Sequence, residues 1–340
     1  MRPDSSSLTT ALTFLLMLYP LTFQPIFKDR IWGGRELERL YGKPIPPNVP
    51  IGESWEITDR AGDTSIILNG ALAGKTLRWL MENRAAELLG SARAATGNHF
   101  PLLCKILDAR DKLSLQVHPP TALAAQLHGE PKTEMWYIAD AGPGAELYVG
   151  LQAGVTRQQF EQKIEDGTVA DCFHRVPVRA GDVMFLPSGR VHAIGDRLVI
   201  FEIQQNSDTT YRVFDWNRTG LDGKLRELHV AQSLASIDFN DFEPRLVQTP
   251  YRSEDGVEKR SLVEDPLFNV ETWQMPAGAN GPLPPKKLQI VAVTAGEIHI
   301  HSADEPVHLT AGRFGLIPAS LGPTYLSALT QATLLRVEAN

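Results

Sequence analysis

Four side chains able to bind a metal ion lie on or beside predicted strands of this 340-residue chain. In the Q-V-H segment at 116–118, the two-residue period of a strand puts Gln116 and His118 on one face. Glu134 opens the next apolar run, and His192 follows a tight turn further along the chain. Two imidazoles, a carboxylate and an amide form a mixed nitrogen and oxygen set suited to zinc or another divalent first-row ion. We therefore predict a metal site at these four residues, with a position open for substrate or water.

The turn before His192 has a defined spacing. Residues 181–192 match the pattern G-x5-P-x-G-x2-H at every fixed position, and this pattern is shared by the cupins. A strand, a tight turn at Pro187 and Gly189, and a second strand would point His192 into the interior of a barrel. The pattern predicts a mostly β protein, a cupin jelly-roll barrel with minor helices.

Short alternating or apolar runs separated by Gly and Pro predict that most elements are strands. A polar segment at 238–259 contains two prolines, and we place a domain boundary near residue 240. Helical patterns occur as insertions at 75–90, 156–167 and 225–237. The strand patterns lie at 65–70, 113–119, 134–140, 182–189, 197–205, 288–301 and 313–320.

The boundary predicts a metal-binding cupin domain over 17–240 and a degenerate cupin-like β domain without metal over 241–340. The frame G-x5-P recurs at 312–318, but the position five residues after its proline, where the first frame has His192, is occupied by Pro323. Proline cannot bind a metal ion. We therefore expect His299 and His301, which form an H-x-H on one strand face, to be structural or exposed.

The composition argues against several kinds of partner. The chain has 33 Lys and Arg against 40 Asp and Glu, a net charge of -7, and no basic run interleaved with aromatic residues, so we expect no nucleic-acid partner. Cys104 and Cys172 lack a C-x-x-C spacing, which fits a reducing cytoplasm. The charge-free stretch 8–23 is shorter than the roughly 20 apolar residues of a spanning helix, contains Pro20 and lacks a cleavage-site pattern. We therefore expect a cytoplasmic protein with no membrane partner.

Several separate segments resemble, in the same order, the type I phosphomannose isomerases of the short bacterial form. The resemblance covers nearly all of the chain from Met17 onward, and the zinc ligands of the family fall on the four residues named above. We expect residues 1–16 to be an extension that is disordered or not native. The matching segments are LYPLTFQPIFKDRIWGG (18–34), IGESWEIT (51–58), NGALAGKTL (69–77), FPLLCKILDARDKLSLQVHP (100–119), EPKTEMWYI (130–138), LPSGRVHAIG (186–195) and QNSDTTYRVFDWNR (205–218).

The resemblance implies a reversible conversion of mannose 6-phosphate into fructose 6-phosphate through a cis-enediol, with one Zn²⁺ per chain. It also implies that Arg212 is the active-site arginine of the family, that Asp208 is an acidic partner and that Lys132 is the lysine of the family. We expect Arg212 to stabilise the enediolate and Lys132 to hold the substrate phosphate. The sequence leaves the catalytic base undetermined, as well as the choice between a monomer and a homodimer.

Other functions stay open at this point. A cupin homologue could keep the metal and act as a sugar or sugar-phosphate sensor, although a sensor has no need of Arg212 and Lys132 beside the metal ligands. An iron-dependent dioxygenase is disfavoured by Gln116 and Glu134, because oxygenases usually hold iron with histidines and a facial carboxylate. An isomerase of a related hexose phosphate is a further alternative.

Overall fold

The computed structural model describes residues 17–340, so the predicted extension over 1–16 lies outside the described residues. The chain forms two compact units, each built from segments that are not contiguous in sequence. The first unit consists of Pro25–Thr58 and Leu102–Thr249, and the second of residues 17–24, Asp59–Pro101 and Pro250–Asn340. This division differs from the predicted boundary near 240. Residues 59–101 pack with the C-terminal part, where Ala319 N donates to Leu88 O.

The prediction of a mostly β fold is confirmed, and each predicted strand pattern except one contains an observed strand. The exception is 65–70, where Ile66 and Ile67 form only isolated bridges. Gly70, in the left-handed region with φ of 64°, begins a 3-10 turn that ends this pairing. Numbered along the chain, the strands are β1 (Ile26–Gly34), β2 (Ile51–Ile57), β3 (Asp59–Arg60), β4 (Asp63–Thr64), β5 (Leu102–Ala109), β6 (Leu115–Val117), β7 (Glu134–Ala141), β8 (Glu146–Leu151), β9 (Phe173–Pro177), β10 (Val183–Leu186), β11 (His192–Ile194), β12 (Leu198–Gln205), β13 (Tyr211–Phe214), β14 (Arg252–Glu254), β15 (Val257–Glu264), β16 (Phe268–Met275), β17 (Asn280–Leu283), β18 (Gln289–Ala295), β19 (Glu297–His301), β20 (Val307–Thr310), β21 (Phe314–Ile317), β22 (Thr324–Ala328) and β23 (Ala332–Ala339).

The helices are short, and two of them begin at a threonine cap. Thr76 accepts a hydrogen bond from Trp79 N, and Thr156 forms a capping box with Gln159. The predicted helix over 75–90 is two helices that meet at Arg84, which lies outside helical backbone angles. In the described part of the chain, no helix is long and apolar enough to cross a membrane. The helices are α1 (Glu36–Tyr41), α2 (Leu77–Asn83), α3 (Ala85–Leu89), α4 (Thr121–Ala124), α5 (Arg157–Glu165) and α6 (Val230–Ser236).

The two units repeat one topology of nine strands. The first unit contains the sheets β1-β2-β5-β12-β7-β10 and β13-β6-β11-β8-β9. The second contains β14-β15-β16-β23-β18-β21 and β17-β22-β19-β20. To compare the units, we number the nine strands β2 and β5 to β12 of the first unit from one to nine, and we number β15 to β23 of the second unit in the same way. Both units then have the strand order 1-2-9-4-7 in the larger sheet and 3-8-5-6 in the smaller sheet. The second unit is therefore a repeat of the jelly-roll arrangement in the first, as the sequence predicted.

Each unit has an apolar core whose residues come from both of its sheets. In the first unit Leu107 and Ile200 of the larger sheet pack in one cluster with Val149 and Ile194 of the smaller sheet. In the second unit the equivalent cluster includes Trp273, Val291, Ile298 and Leu326. Full burial of each such side chain contributes about 1.5–3 kcal/mol. These cores hold the two sheets together and so position the polar residues that the strands carry inward.

Candidate functional site

The four predicted ligands come together inside the first unit because of how its strands pair. Gln116 lies on β6 and is the antiparallel partner of His192, the first residue of β11. His118 follows the end of β6, and Glu134 is the first residue of β7. One nitrogen from each histidine and one Glu134 oxygen lie within 4.8 Å of one another, and all three residues are buried. Within residues 17–340 this is the one group of three or more His, Cys, Asp or Glu residues with such spacing.

Backbone carbonyls fix the orientation of both imidazoles. His118 Nδ1 donates to the carbonyl of Thr209 over 2.8 Å, and His192 Nδ1 donates to the carbonyl of Arg190 over 3.0 Å. The Nε2 atoms therefore carry lone pairs and face Glu134, at 3.6 Å from Oε2 for His118 and 3.4 Å from Oε1 for His192. An acceptor for the N–H of the far ring nitrogen is the usual support for a metal-ligating histidine.

Several buried polar atoms at this point lack hydrogen-bond partners. Among the described residues, His118 Nε2 and both carboxylate oxygens of Glu134 accept no hydrogen bond. Leaving buried atoms without a hydrogen bond is costly, whereas a divalent cation between them would bind all three. Burial lowers the pKa of His118 to about 3, and it also lowers the pKa of His192, so both rings stay neutral as metal ligation requires. Two neutral imidazoles with a carboxylate are a donor set that suits zinc.

The fourth ligand needs its amide oxygen to point at the ion. Gln116 turns its Nε2 toward His192 Nε2 at 3.2 Å, and its Oε1 accepts from Ser114 Oγ over 3.3 Å. A half-turn of the amide exchanges the two atoms without moving the rest of the side chain. Gln116 thus fits the metal group once its oxygen faces inward.

A chain of buried charges extends from the metal group. Lys132 Nζ lies 3.1 Å from Glu134 Oε2. Burial by itself raises the pKa of Glu134, but Lys132 and the two histidines outweigh it and hold the pKa well below the usual range. The second buried lysine, Lys105, lies 3.2 Å from Glu202 Oε1 and 4.0 Å from Glu53 Oε2. The charge balance of this buried cluster therefore depends on Lys132 and Lys105, which lie among buried carboxylates.

The pKa values of Glu202 and Glu53 are shifted in opposite directions. Burial raises the pKa of Glu202, and although Lys105 lowers it, the Glu134 charge adds to the increase. For Glu53, burial also acts upward, but Lys105 and Arg30 outweigh it and lower the pKa to about 2. The Glu202 carboxylate also accepts from Trp136 Nε1 over 2.9 Å. A carboxyl group with a raised pKa beside a lysine can hold and release a proton.

A cavity of about 730 Å³ adjoins the metal group. Gln116 and Lys132 line it at the metal group, and Lys105 and Glu202 line it as well. The predicted residues Asp208 and Arg212 also face this cavity, Asp208 as an exposed side chain. The volume is in the range of small-ligand pockets. Four of the seven predicted site residues thus line one cavity, and the other three, His118, Glu134 and His192, form the buried group beside Gln116 and Lys132.

Arg212 has an unusual environment for an arginine. Its Nη1 reaches the carbonyl of Glu227 at 3.4 Å, while its buried Nε has no hydrogen-bond partner in the described part of the chain. Burial lowers the pKa of Arg212, and the neighbouring charge of Arg226 lowers it further. No carboxylate of the described residues lies within ion-pair distance of Arg212, whereas every other lysine and arginine of the cavity has such a partner. This guanidinium is therefore available to an anion in the cavity.

Lys105 and Glu202 were missed by the sequence analysis. The signal was present, since each is a charged residue in the middle of an apolar run, in the segments LLCKILDA and LVIFEIQQ. Such a residue can be a solvated edge position or a buried functional one. Their pairing across β5 and β12 decides it, because Lys105 is the direct partner of Glu202.

The second unit carries different residues at the equivalent positions. Gln289 occupies the position of Glu134, since Gln289 pairs with Ile317 as Glu134 pairs with Leu186, one residue before the proline of each turn. Its Oε1 accepts from Arg336 Nε over 2.7 Å. Arg336 pairs with Glu271 as Glu202 pairs with Lys105, with the charges exchanged. A satisfied polar network therefore fills the place that the metal group has in the first unit.

The H-x-H of the second unit lies on the solvent side of β19. Ile298 and Ile300 point into the core, while His299 and His301 are partly exposed. His301 Nε2 bonds to Ser327 Oγ over 2.8 Å, and its ring stacks on Tyr325. These contacts agree with the expectation of structural or exposed histidines.

Comparison with known proteins agrees with this geometry. Residues 20–163 match the family described as phosphomannose isomerase type I, catalytic domain. The chain is 38% identical over 306 residues to mannose-6-phosphate isomerase ManA of Bacillus subtilis, which covers 89% of this chain and 94% of that protein. It is 36% identical over 306 residues to mannose-6-phosphate isomerase of Streptococcus mutans, covering 90% of this chain and 94% of that protein.

A solved structure extends this similarity to the fold. The crystal structure of mannose 6-phosphate isomerase from Bacillus subtilis superposes with a TM-score of 0.85 at 29% sequence identity, covering 94% of this chain and 99% of that one. Both the sequence and the fold are thus shared over nearly the whole length of these relatives. This chain belongs to the type I phosphomannose isomerase family.

Proposed function

We propose that this protein interconverts mannose 6-phosphate and fructose 6-phosphate through a cis-enediol. The observation that carries the proposal is one cavity that extends from Gln116 and Lys132, beside the buried His118, Glu134 and His192 group, to Arg212, a guanidinium without an acidic partner among the described residues. The reaction moves a proton between C1 and C2 and needs stabilisation of negative charge at the reacting end of the sugar. The cavity supplies groups for both tasks.

The metal of this site is proposed to be zinc, with one ion per chain. Gln116, His118, Glu134 and His192 would hold it, and the buried atoms of His118 and Glu134 that lack hydrogen bonds support this assignment. A bound zinc ion would supply Lewis-acid polarisation of the sugar oxygens. Lys132 lies against the ligand Glu134, so it acts at the metal end of the cavity and holds the Glu134 carboxylate in its charged form.

Proton transfer is assigned to the Glu202 and Lys105 pair. Glu202 faces the cavity with a raised pKa, and the charges of Glu202 and Glu53 outweigh burial and raise the pKa of Lys105, which therefore stays protonated. A carboxylate that accepts the proton from one carbon can return it to the other, while the lysine steadies its charge. Arg212 would donate to the oxygen on which negative charge develops, and Asp208 contributes to the field that holds Arg212 charged.

The direct test is an assay of purified, zinc-loaded protein with mannose 6-phosphate, in which fructose 6-phosphate formation is followed. Wild-type turnover with loss of at least a hundredfold in Glu202→Gln at unchanged metal content would support the assignment. Absence of turnover in protein that holds its metal would refute it.

The sugar-phosphate sensor is the less favoured function. The relatives that match along most of this chain are named as isomerases, and a binding protein has no need of a buried proton-transfer pair. A sensor would bind the sugar phosphate in the assay above without converting it. For location we propose the cytoplasm, supported by the two free and buried thiols of Cys104 and Cys172.

A further inference from the structure

The phosphate of the substrate needs a binding group at some distance from the metal. In a hexose 6-phosphate the phosphate is attached to C6, at the other end of the carbon chain from the reacting C1 and C2. Lys132, the residue that the sequence suggested for this task, lies 3.1 Å from Glu134 Oε2 and thus beside the metal group. A different cation of the cavity suits the phosphate better.

We infer that Arg226, held in place by Asp215, binds the substrate phosphate. This inference rests on the proposed function, because it names the residues that hold the phosphate of the same substrate. Arg226 lines the same cavity as Lys105, Glu202 and Arg212, and a guanidinium group offers paired donors to a phosphate dianion.

Asp215 grips one edge of the Arg226 guanidinium. Arg226 Nε donates to Asp215 Oδ2 over 2.6 Å, and its Nη2 donates to Oδ1 over 2.5 Å. The remaining terminal nitrogen, Nη1, has no recorded partner among the described residues. Asp215 is buried, and it also binds Arg218. A two-pronged contact of this kind orients the planar guanidinium and leaves the opposite edge for an anion.

A short turn brings Arg226 beside Arg212. Gly220 N donates to Lys224 O over 2.6 Å, and the segment that follows returns along β13. His229 N donates to the Arg212 carbonyl over 2.8 Å, and Arg212 Nη1 contacts the Glu227 carbonyl at 3.4 Å. Glu227, the residue after Arg226, and His229 are thus held against Arg212. The electrostatic effect of Arg226 on the pKa of Arg212 is consistent with this proximity.

Two arginines share one buried carboxylate in this part of the first unit. Arg218 and Arg226 both bind Asp215, and Arg218 also binds Asp111. Asp222 lines the cavity near Arg226, but its Oδ1 accepts from Lys224 N over 3.0 Å and so closes the turn. One negative charge of Asp215 thus serves two guanidinium groups, and a phosphate at the free edge of Arg226 would supply a second anionic partner.

The test compares Arg226→Ala with Arg218→Ala. Arg218 is the matched control, since it also loses a bond to Asp215 and one positive charge, but it does not line the cavity. We expect Arg226→Ala to raise KM for mannose 6-phosphate about ten- to a hundredfold, with kcat changed less than about threefold. Arg226→Lys should recover part of the loss, and Arg218→Ala should stay within about threefold of wild type. Metal content is measured in every variant.

A second measurement separates this inference from the proposed function. Binding of inorganic phosphate, followed by calorimetry on the zinc-loaded protein, involves no turnover. We expect Arg226→Ala to weaken it by the same factor as KM, and Asp215→Asn to weaken it less, because Asp215 is a positioning residue. If wild-type protein binds phosphate through Arg226 but converts no mannose 6-phosphate, the isomerase proposal fails and the phosphate site stands. Wild-type phosphate affinity and KM in Arg226→Ala would overturn the inference.

Discussion

Replacement of His192 by alanine should remove the metal ion and the activity together. The ring is buried, its Nε2 faces Glu134 Oε1 at 3.4 Å, and its Nδ1 donates to the Arg190 carbonyl. Loss of a group that merely orients a ligand costs about ten- to a hundredfold in metal affinity. Loss of the ligand itself should cost more, so we expect metal affinity to fall at least a hundredfold.

The same substitution also lowers stability without any metal. It removes the hydrogen bond to the Arg190 carbonyl, worth about 1 kcal/mol. It also opens a cavity beside Trp136, whose ring lies 5.3 Å from that of His192, at a cost of about 2–4 kcal/mol. The free energy of unfolding should therefore fall by roughly 3–5 kcal/mol. His192→Asn is the control for this effect, because its amide can still donate to the carbonyl but offers no Nε2.

Elemental analysis of purified variants, with circular dichroism and thermal unfolding, decides the outcome. We expect about one zinc per chain in wild type and almost none in His192→Ala or His192→Asn. The double variant His299→Ala with His301→Ala should keep both metal and turnover, since these side chains lie on the exposed face of β19. Full metal occupancy in His192→Asn, or loss of the ion from the double variant, would show that the site has been placed wrongly.

Three further predictions concern the charges around the site. Arg212→Ala should lower kcat by about two to four powers of ten at unchanged metal content. Arg212→Lys should restore only part of the lost turnover, because an ammonium group lacks the planar fork of a guanidinium. Near-normal kcat and KM in Arg212→Ala would exclude the catalytic role. Glu202→Gln should lower kcat and abolish the pH dependence that the carboxyl group contributes, and an unchanged pH profile would assign proton transfer to another group. Burial raises the pKa of Asp108 to about 6, so the folded protein binds this proton more tightly than the unfolded chain and loses stability as pH rises from about 4 to 6. Asp108→Asn should therefore gain about 3 kcal/mol in urea unfolding at pH 7 and nothing below about pH 4, whereas an equal effect at both pH values would contradict the assigned pKa.

The predicted metal set illustrates what local sequence can specify. Gln116, His118 and His192 could be selected because strand period and turn chemistry act over a few residues. A proline and a glycine at fixed offsets determine how the chain enters β11, whatever packs around it. The same reasoning recognised Pro323 as a position where the second unit cannot offer a ligand.

Other properties depended on contacts between residues far apart in the chain. Lys105 and Glu202 are ordinary charges in sequence, and only the pairing of β5 with β12 makes them a buried pair in which both pKa values are raised. In the second unit the acidic and basic residues of the equivalent pair, Glu271 and Arg336, have exchanged strands, and this too becomes evident only from the strand pairing.

The division of the chain also required the tertiary structure. Residues 59–101 lie between β2 and β5 in sequence, yet they pack with the C-terminal segment. Neither composition nor period indicates this, because docking of a segment depends on which apolar surface is left uncovered after the sheets have formed. Sequence therefore determined the strands, the turns and the ligand types, since these follow from short-range backbone and side-chain chemistry. The tertiary structure decided which charges are buried together, because burial and the pKa values that follow from it are set by neighbours from distant parts of the chain.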